Sequence, residues 1–535
     1  MDERRYRWAA ARAWILAALV ACGIVALVFS QWYRSRGGSL ASLREAADCS
    51  SLGRLDPEAE ARIVAFCADC HALPRPESFP RDRWQQGVRL GYEYYARSGR
   101  NDLDPPPIHL AVAYFRSRAP QRLEFPRPRE AETDPPVRFT VEKLQWDRGD
   151  APPAVSHLGW ARLDSDARPT LLVGDMREGT VAAVDLHGAR RDRRVLARLD
   201  FPCRVEPCDL DRDGAIDLVV ADLGSFCAAD HDEGRVVWLR RMGQADGYEE
   251  VVLASGLGRI ADVRAADFDG DGDLDLLVAE FGHYRTGGIH FLENVAPRGE
   301  PPRFASQKID LRPGTIHVPV HDFDGDGRLD FMALVSQEHE CLDVFLNPPD
   351  AAFHRYTVWA APDLAFGSSG IELVDLDRDE DVDVLYTNGD AFDNLYAVPW
   401  HGVQWLENLG GLEFAQHRLT DLPGAYRALA GDFDLDGDLD VVVCAWLPQQ
   451  VMPPGLRETP LASIVFLEQT SPGRFARHTL EKGSAHYATM VVGDFDGDGD
   501  LDFAVGSHAG LDGPKSARAM PDVAVWWNQA ISNGK

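Results

Sequence analysis

Aspartates at alternate positions dominate the chemistry available to this chain. The clearest run is Asp267-Phe-Asp-Gly-Asp-Gly-Asp-Leu-Asp275, followed at once by an apolar stretch that ends at Gly282. A tight loop turns carboxylates at every second position toward one centre, where they repel one another strongly. A hard divalent cation that prefers oxygen ligands relieves that repulsion. The candidate ligands in this run are Asp267, Asp269, Asp271 and Asp275.

The same unit returns five more times. It opens at Asp209, with Asp211, Asp213 and Asp217, and at Asp322, with Asp324, Asp326 and Asp330. It opens again at Asp375, with Asp377, Asp379 and Asp383, and at Asp432, with Asp434, Asp436 and Asp440. The last copy holds Asp494, Asp496, Asp498 and Asp502, and a worn copy begins at Asp164. An EF-hand also opens with D-x-D-x-D-G, but it needs flanking helices and a glutamate at the twelfth position. The twelfth residue of the Asp267 loop is Val278, and the apolar run after it is strand-like.

A second motif carries different chemistry. Cys67-x-x-Cys70-His71 follows a segment that Asp56 and Pro57 open as a helix, an N-cap with proline at the first helical position. Two thiols and an adjacent imidazole at this spacing are the attachment site of a covalent haem c, the thiols bonding the vinyl groups and His71 ligating iron. A zinc site would want a second paired ligand set nearby, and Cys49 alone does not supply one. No methionine lies between Met1 and Met176 to act as a distal ligand, which leaves His109 as the candidate, or else five-coordinate iron.

The elements that must position these residues follow from spacing. The acidic loops recur about every 45 to 62 residues, each with a downstream strand such as Gly-Gly-Ile-His-Phe-Leu-Glu-Asn294, a period that fits a propeller or a solenoid. On these loops and strands, from about Val137 to the C-terminus, the chain resembles the VCBS/FG-GAP repeat family, whose calcium-loop blades build β-propellers. The resemblance implies a mainly β fold with about six bound Ca²⁺ ions. Counting the worn copy gives seven blades, and the final copy stops after its third strand. The segment Val137–Leu144 matches the fourth strand of other copies, so it is expected to complete the last blade and close the ring.

Upstream, Arg81–Arg97 and Ile108–Arg118 read as helices. With the CxxCH motif they resemble the cytochrome-c domains fused to VCBS propellers in exported bacterial proteins. The expected order is a basic tail (1–12), an apolar anchor (13–33), a linker (34–55), a small all-α haem domain (56–119), a proline-rich linker (120–136) and the propeller (137–535). The apolar run Ala13–Ser30, 18 residues, spans about 27 Å of helix, enough for a bilayer core. Its basic N-terminal flank places the bulk of the chain outside the cytoplasm, in the periplasm of an inner-membrane-anchored protein. A cleaved signal is the rival reading, and Leu19-Val-Ala-Cys22 matches a lipoprotein cleavage box.

Charge narrows the function classes. The formal net charge is −30, and 28 aspartates sit in the six complete loops. Six bound Ca²⁺ would bring the charge to about −18, so metal binding should be coupled to stability. No basic stripe offsets the acidity, which argues against nucleic-acid binding. Two groups remain as candidate binding surfaces. Polar residues on each innermost strand (Arg204, Glu206, Asp262, Arg264, His317, Glu372, Arg427) should line the central channel. Long connections after the second strands, carrying Asn388, Asp390 and His401, together with Tyr426 and His486, should ring its mouth on the face opposite the acidic loops. Cys203 and Cys227 flank one hairpin and are a candidate disulfide in an oxidising compartment.

The expected function is periplasmic electron transfer by a monohaem c-type cytochrome toward a redox partner protein, with the propeller as scaffold. One alternative is a haem-coupled oxidoreductase with its active site on the propeller face. Another is a calcium-dependent adhesion or recognition module for a glycan or protein.

Overall fold

The structure, a computed structural model, describes residues 55–530 apart from 70–71, 164–167, 189, 244–246, 298, 350–351, 393–394, 459, 484 and 511–519. The tail, the apolar anchor, Cys70, His71 and the start of the worn repeat at Asp164 lie outside the described residues. Among the described residues no helix is long and apolar enough to cross a membrane. The chain divides into a small helical unit (1–69 and 79–121) and a large β unit (70–78 and 122–535).

The helical unit holds α1 (Pro57–Cys67), α2 (Trp84–Arg97) and α3 (Ile108–Arg118), matching the expected helices closely. Its core is aromatic. Trp84 stacks on Phe115 at 4.3 Å, beside the buried Ile63, Val88 and Val112. Arg118 lies over the Tyr114 ring and pairs with Glu60, which ties α3 to α1.

The β unit is a ring of seven sheets. Blade one is β2 (Val155–Ala161), β3 (Thr170–Asp175), β4 (Thr180–Val184) and β5 (Arg193–Arg198). Blade two is β6 (Pro202–Cys208), β7 (Asp217–Asp222), β8 (Gly234–Arg241) and β9 (Tyr248–Leu257). Blade three is β10 (Ile260–Ala266), β11 (Asp275–Glu280), β12 (Gly288–Asn294) and β13 (Phe304–Asp310). In blade four Pro319, which cannot donate to a ladder, splits the first strand into β14 (Thr315–His317) and β15 (Val320–His321). The blade continues with β16 (Asp330–Val335), β17 (Cys341–Leu346) and β18 (His354–Ala360). Blade five is β19 (Ser368–Val374), β20 (Asp383–Asn388), β21 (Gly402–Asn408) and β22 (Phe414–Asp421). Blade six is β23 (Ala425–Gly431), β24 (Asp440–Ala445), β25 (Leu461–Ser471) and β26 (Arg474–Gly483).

Blade seven combines β27 (Tyr487–Gly493), β28 (Asp502–Ser507) and β29 (Val523–Asn528) with β1 (Phe139–Leu144), as the sequence predicts. Strand β1 pairs antiparallel with β29, Val141 opposite Trp526. Glu142 on β1 accepts from the Trp527 indole of blade seven at 3.0 Å and pairs with Arg191, beyond blade one's third strand, at 3.0 Å. Arg148, further along, joins Asp175 of blade one at 2.7 Å and also contacts Asp522 of blade seven. The seam is therefore held by a ladder, an indole and two arginines.

The second strand of a blade is covered on both faces by its neighbours, so an unbroken apolar run fits there. All six residues are buried in β7, β11, β16, β20, β24 and β28. The fourth strands are largely exposed, as β18 shows. The apolar core is not central. It is divided into seven layers, each shared by two adjacent blades.

The proline-rich stretch before β1 also docks on this unit. Glu130 accepts from Arg477 at 3.2 Å and from the Thr479 backbone and hydroxyl at 3.0 and 2.6 Å, all on β26.

Candidate functional site

Each acidic loop joins the first strand of a blade to the second, and its geometry repeats. In the Asp267 loop, Gly270 and Gly272 donate to the two oxygens of Asp267 at 2.8 and 2.9 Å, and Asp271 donates to Asp269 at 3.1 Å. The Asp322 and Asp494 loops repeat the glycine donations to their first aspartate. These turns bring carboxylate oxygens of Asp267, Asp269 and Asp271 within 4.8 Å of one another, and the same holds for Asp209, Asp211 and Asp217. It holds again for Asp322, Asp324 and Asp330, for Asp375, Asp377 and Asp383, and for Asp432, Asp434 and Asp436. An all-oxygen donor set crowded to this degree, with no equal number of cations among it, fits a Ca²⁺ ion.

The fourth and sixth loop positions have positive φ, at +78° and +87° for Gly270 and Gly272. The Asp375 loop puts Arg378 at +62° and Glu380 at +77° in the same places. A side chain in that region costs about 1 kcal/mol relative to glycine. Glu380→Gly is expected to raise the unfolding free energy by about 1 kcal/mol, read from denaturant midpoints at fixed calcium. An unchanged or lower midpoint would contradict this account of the loop.

The aspartate at the ninth position of each loop has a second role that spacing alone does not reveal. Asp275 is buried and accepts the Phe268 and Asn294 backbone N–H groups at 3.1 and 2.8 Å. Asp330, Asp383 and Asp502 make the same two ties, to the second loop residue and to the end of the third strand. Burial, reinforced by neighbouring loop carboxylates, pushes Asp275 and Asp502 up to about 7 and Asp440 up to about 8. A bound cation would oppose that rise.

Two more residue types link each loop to the ring. The second loop residue (Phe268, Phe433 or Phe495) is buried in the layer shared with the next blade. The asparagine ending the third strand reaches back to the preceding blade's loop. Asn347 donates to the Phe268 carbonyl at 2.7 Å, and Asn528 to the Phe433 carbonyl at 2.8 Å. In Phe-Leu-Asn347 and Trp-Trp-Asn528 the asparagine that closes the third strand thus makes a loop-to-loop bond.

The channel is built by a second repeating device. In all seven blades the first strand slips register at its second residue, between Val155 and His157 in blade one and between Pro202 and Arg204 in blade two. The slips recur at 260/262, 315/317, 368/370, 425/427 and 487/489. A bulge re-aims the residue that follows it. His157, Arg204, Asp262, His317, Arg427 and Thr489 all line one cavity of about 260 Å³. It opens among the connections that follow the second strands, opposite the acidic loops.

Asp262 is the electrostatic centre of this ring and is 0 % exposed. It meets Arg264 at 3.2 Å, Arg204 at 3.5 Å and His317 at 3.6 Å, and accepts the Val318 N–H at 3.1 Å. Burial alone would raise its pKa, but Arg264, the His317 hydrogen bond and Arg204 outweigh it and hold the carboxyl well below the usual range. Asp262→Ala leaves Arg204 and Arg264 with Glu206 as their remaining carboxylate and is expected to cost about 3 kcal/mol. Equilibrium unfolding reads the effect, and a loss under about 1 kcal/mol would contradict the assignment.

The expected mouth residues separate into two groups. Asp390 and Tyr426 line the cavity. Asn388 is buried, donates its amide N–H groups to the Phe366 and Trp400 carbonyls at 3.1 and 2.8 Å, and accepts from the Gln404 amide at 3.1 Å. His401 is buried within blade five, and His486 packs against Tyr487 beside the Trp446 bridge. The cavity includes His157, Arg259 and His508, which the repeat pattern did not single out, and an aromatic rim of Phe226, Phe281, Phe392 and Trp446. Cys203 and Cys227 are not bonded to each other; Cys203 faces the cavity and Cys227 is exposed.

In the helical unit Cys67 is the last residue of α1 and is half-buried, which raises its thiol to about 11. Its neighbour Phe66 meets Tyr92 and Tyr95 at 4.9 and 5.2 Å. His109 is exposed in the first turn of α3.

Comparison with curated proteins returns no match. Residues 205–278 and 322–386 match the model of the FG-GAP-like repeat. The seven-bladed propeller therefore carries FG-GAP repeats.

Proposed function

We propose that the chain is an electron-transfer protein in which one haem c is attached at Cys67 and Cys70 with His71 as proximal ligand. The propeller, braced by about six Ca²⁺ ions, would serve as its scaffold and docking platform. The observation that carries this reading is the CxxCH motif, whose first cysteine ends α1 beside the rings of Phe66, Tyr92 and Tyr95. A wall of aromatic side chains next to the attachment cysteine suits a flat apolar macrocycle, and such a group supplies one-electron exchange when bound.

In this reading residues 13–33 anchor the protein in the inner membrane and the two units face the periplasm, where haem attachment of this type takes place. His109 is the candidate distal ligand. The six loops would draw on the millimolar calcium of an extracytoplasmic compartment.

The test is the visible spectrum of full-length protein made in cells competent for cytochrome c maturation, oxidised and then reduced with dithionite. A sharp reduced α-band that stays with the denatured polypeptide is expected, and it should be lost in Cys67→Ser. An absence of covalent haem would overturn electron transfer and leave a recognition module. A low-spin spectrum unchanged in His109→Ala would remove that ligand alone.

A further inference from the structure

The cavity at the channel mouth is more than a hydrated gap between blades. Its charged lining consists of Arg204, Arg259 and Arg427 against Asp262 and Asp390, one cation in excess. Asp262 is already committed to Arg264, Arg204, His317 and the Val318 N–H. Asp390 accepts the Phe392 N–H at 3.0 Å.

Arg427 is the cation left over. One of its donors goes to the Ile371 carbonyl at 2.8 Å, and it forms no ion pair among the described residues. The carboxylate that acts on it most is Glu372, which forms no ion pair with it among the described residues, and burial pushes the Glu372 carboxyl up toward its neutral form. Across the ring, His157 lines the same cavity at 6 % exposure, and its Nε2 has no hydrogen-bond partner among the described residues. A buried polar atom without a partner is costly unless something else satisfies it.

Above this polar floor the wall changes character. Tyr426 and Trp446 meet edge to face at 5.5 Å, and Phe226 stacks on His508 at 5.8 Å. Aromatic walls over a few convergent polar groups, in a volume of about 260 Å³, make a small-molecule site rather than a conduit for water.

We propose that this cavity binds a small organic monocarboxylate with a flat apolar body, its carboxylate held between Arg427 and His157 and its body against the Tyr426–Trp446 wall. A guanidinium without a carboxylate of its own is the group that recognises such an anion in a fork. The single excess cation matches one negative charge. This site is independent of haem and of the acidic loops, which lie on the other face.

The test uses full-length, calcium-loaded protein and benzoate as the probe, followed by isothermal titration and by magnetisation transfer from Trp446 to the ligand ring. Benzamide, with the same shape and no charge, is the control, and inorganic phosphate is the competitor. Saturable benzoate binding at about 1 mM or tighter is expected. Benzamide and phosphate should each bind at least ten-fold more weakly. Arg427→Gln should weaken benzoate at least ten-fold, and Arg427→Lys should weaken it less.

Equal affinities for benzoate and benzamide would overturn the charge recognition. Phosphate bound better than benzoate would overturn the apolar wall. No benzoate binding at about 10 mM would overturn the site itself. The benzoate–benzamide comparison needs only the unmodified chain, so it decides the matter even if Arg427→Gln does not fold.

Discussion

Chelating calcium with EGTA is expected to unfold the propeller at temperatures where the calcium-loaded chain is stable. Each loop gathers carboxylates within 4.8 Å in the space of nine residues, and none interleaves more than a single arginine among them. Without a cation these loops must either repel or take up protons. A ligand present at about 100 times its dissociation constant stabilises the state that binds it by about 2.7 kcal/mol per site. Several such sites together rival the ~5–15 kcal/mol that hold an ordinary domain.

The loss should be cooperative and not confined to the loops. Phe268, Phe433 and Phe495 carry each loop into the layer shared with the next blade, and Asn347 and Asn528 bond one loop to its predecessor. Slackening a loop therefore loosens two blades. Calorimetry with and without EGTA reads the effect, and the drop in melting temperature should exceed about 15 °C, as about 13 kcal/mol, the contribution of about five such sites, would give in a unit of this size. A drop of a degree or two would show that the loops are closed by their own hydrogen bonds and need no ion.

Acid is the second large lever, and it acts through histidines. Burial pushes His317, His486 and His508 down to about 4 and His401 down to about 3, and it drives His157 well below its ordinary value. In the unfolded chain the same residues titrate near 6.5. Below that pH the unfolded state binds protons that the folded state refuses, so stability falls as pH falls. The loss begins near 6.5 and ends only near 4 for three of them and near 3 for His401.

One pH unit below 6.5 costs up to about 1.4 kcal/mol for each such group. Denaturant midpoints at saturating calcium should therefore fall steeply from pH 7 to pH 5. Replacing His317 and His508 together by glutamine should make the slope shallower. A flat profile over that range would mean that the channel admits protons and water freely.

Much of this architecture is legible in the residues. The acidic loops mark the turn between first and second strands, Val137–Leu144 announces the ring closure, and Pro57 opens α1. The channel was read in part. Alternation picks out Arg204, Asp262, His317 and Arg427, but not the bulge that re-aims them in every blade. A bulge adds one residue without a fixed signature, so it shifts the pattern silently. His157 escaped because its repeat has a worn loop and therefore no frame of reference. Asn388 looked like a binding residue on a long connection, yet it is a buried brace for the Phe366 and Trp400 carbonyls. Nor does a proline-rich segment such as 122–136, which has no period of its own, advertise that Glu130 will find Arg477 and Thr479.

The shared seventh blade has a kinetic meaning. Trp527 and Glu142 are 385 residues apart, so the ring closes through a contact that almost the whole β unit separates. The entropy of that closure is only about 5 kcal/mol because it grows with the logarithm of length. Its cost falls instead on time. Until β1 arrives, β29 is an open edge carrying Val525 and Trp526, and every other blade must already be stacked to present it. Such high contact order makes folding slow and leaves a sticky intermediate exposed for its duration. Once the seam shuts, the same geometry works in reverse: no blade has a free neighbourless face from which fraying could spread.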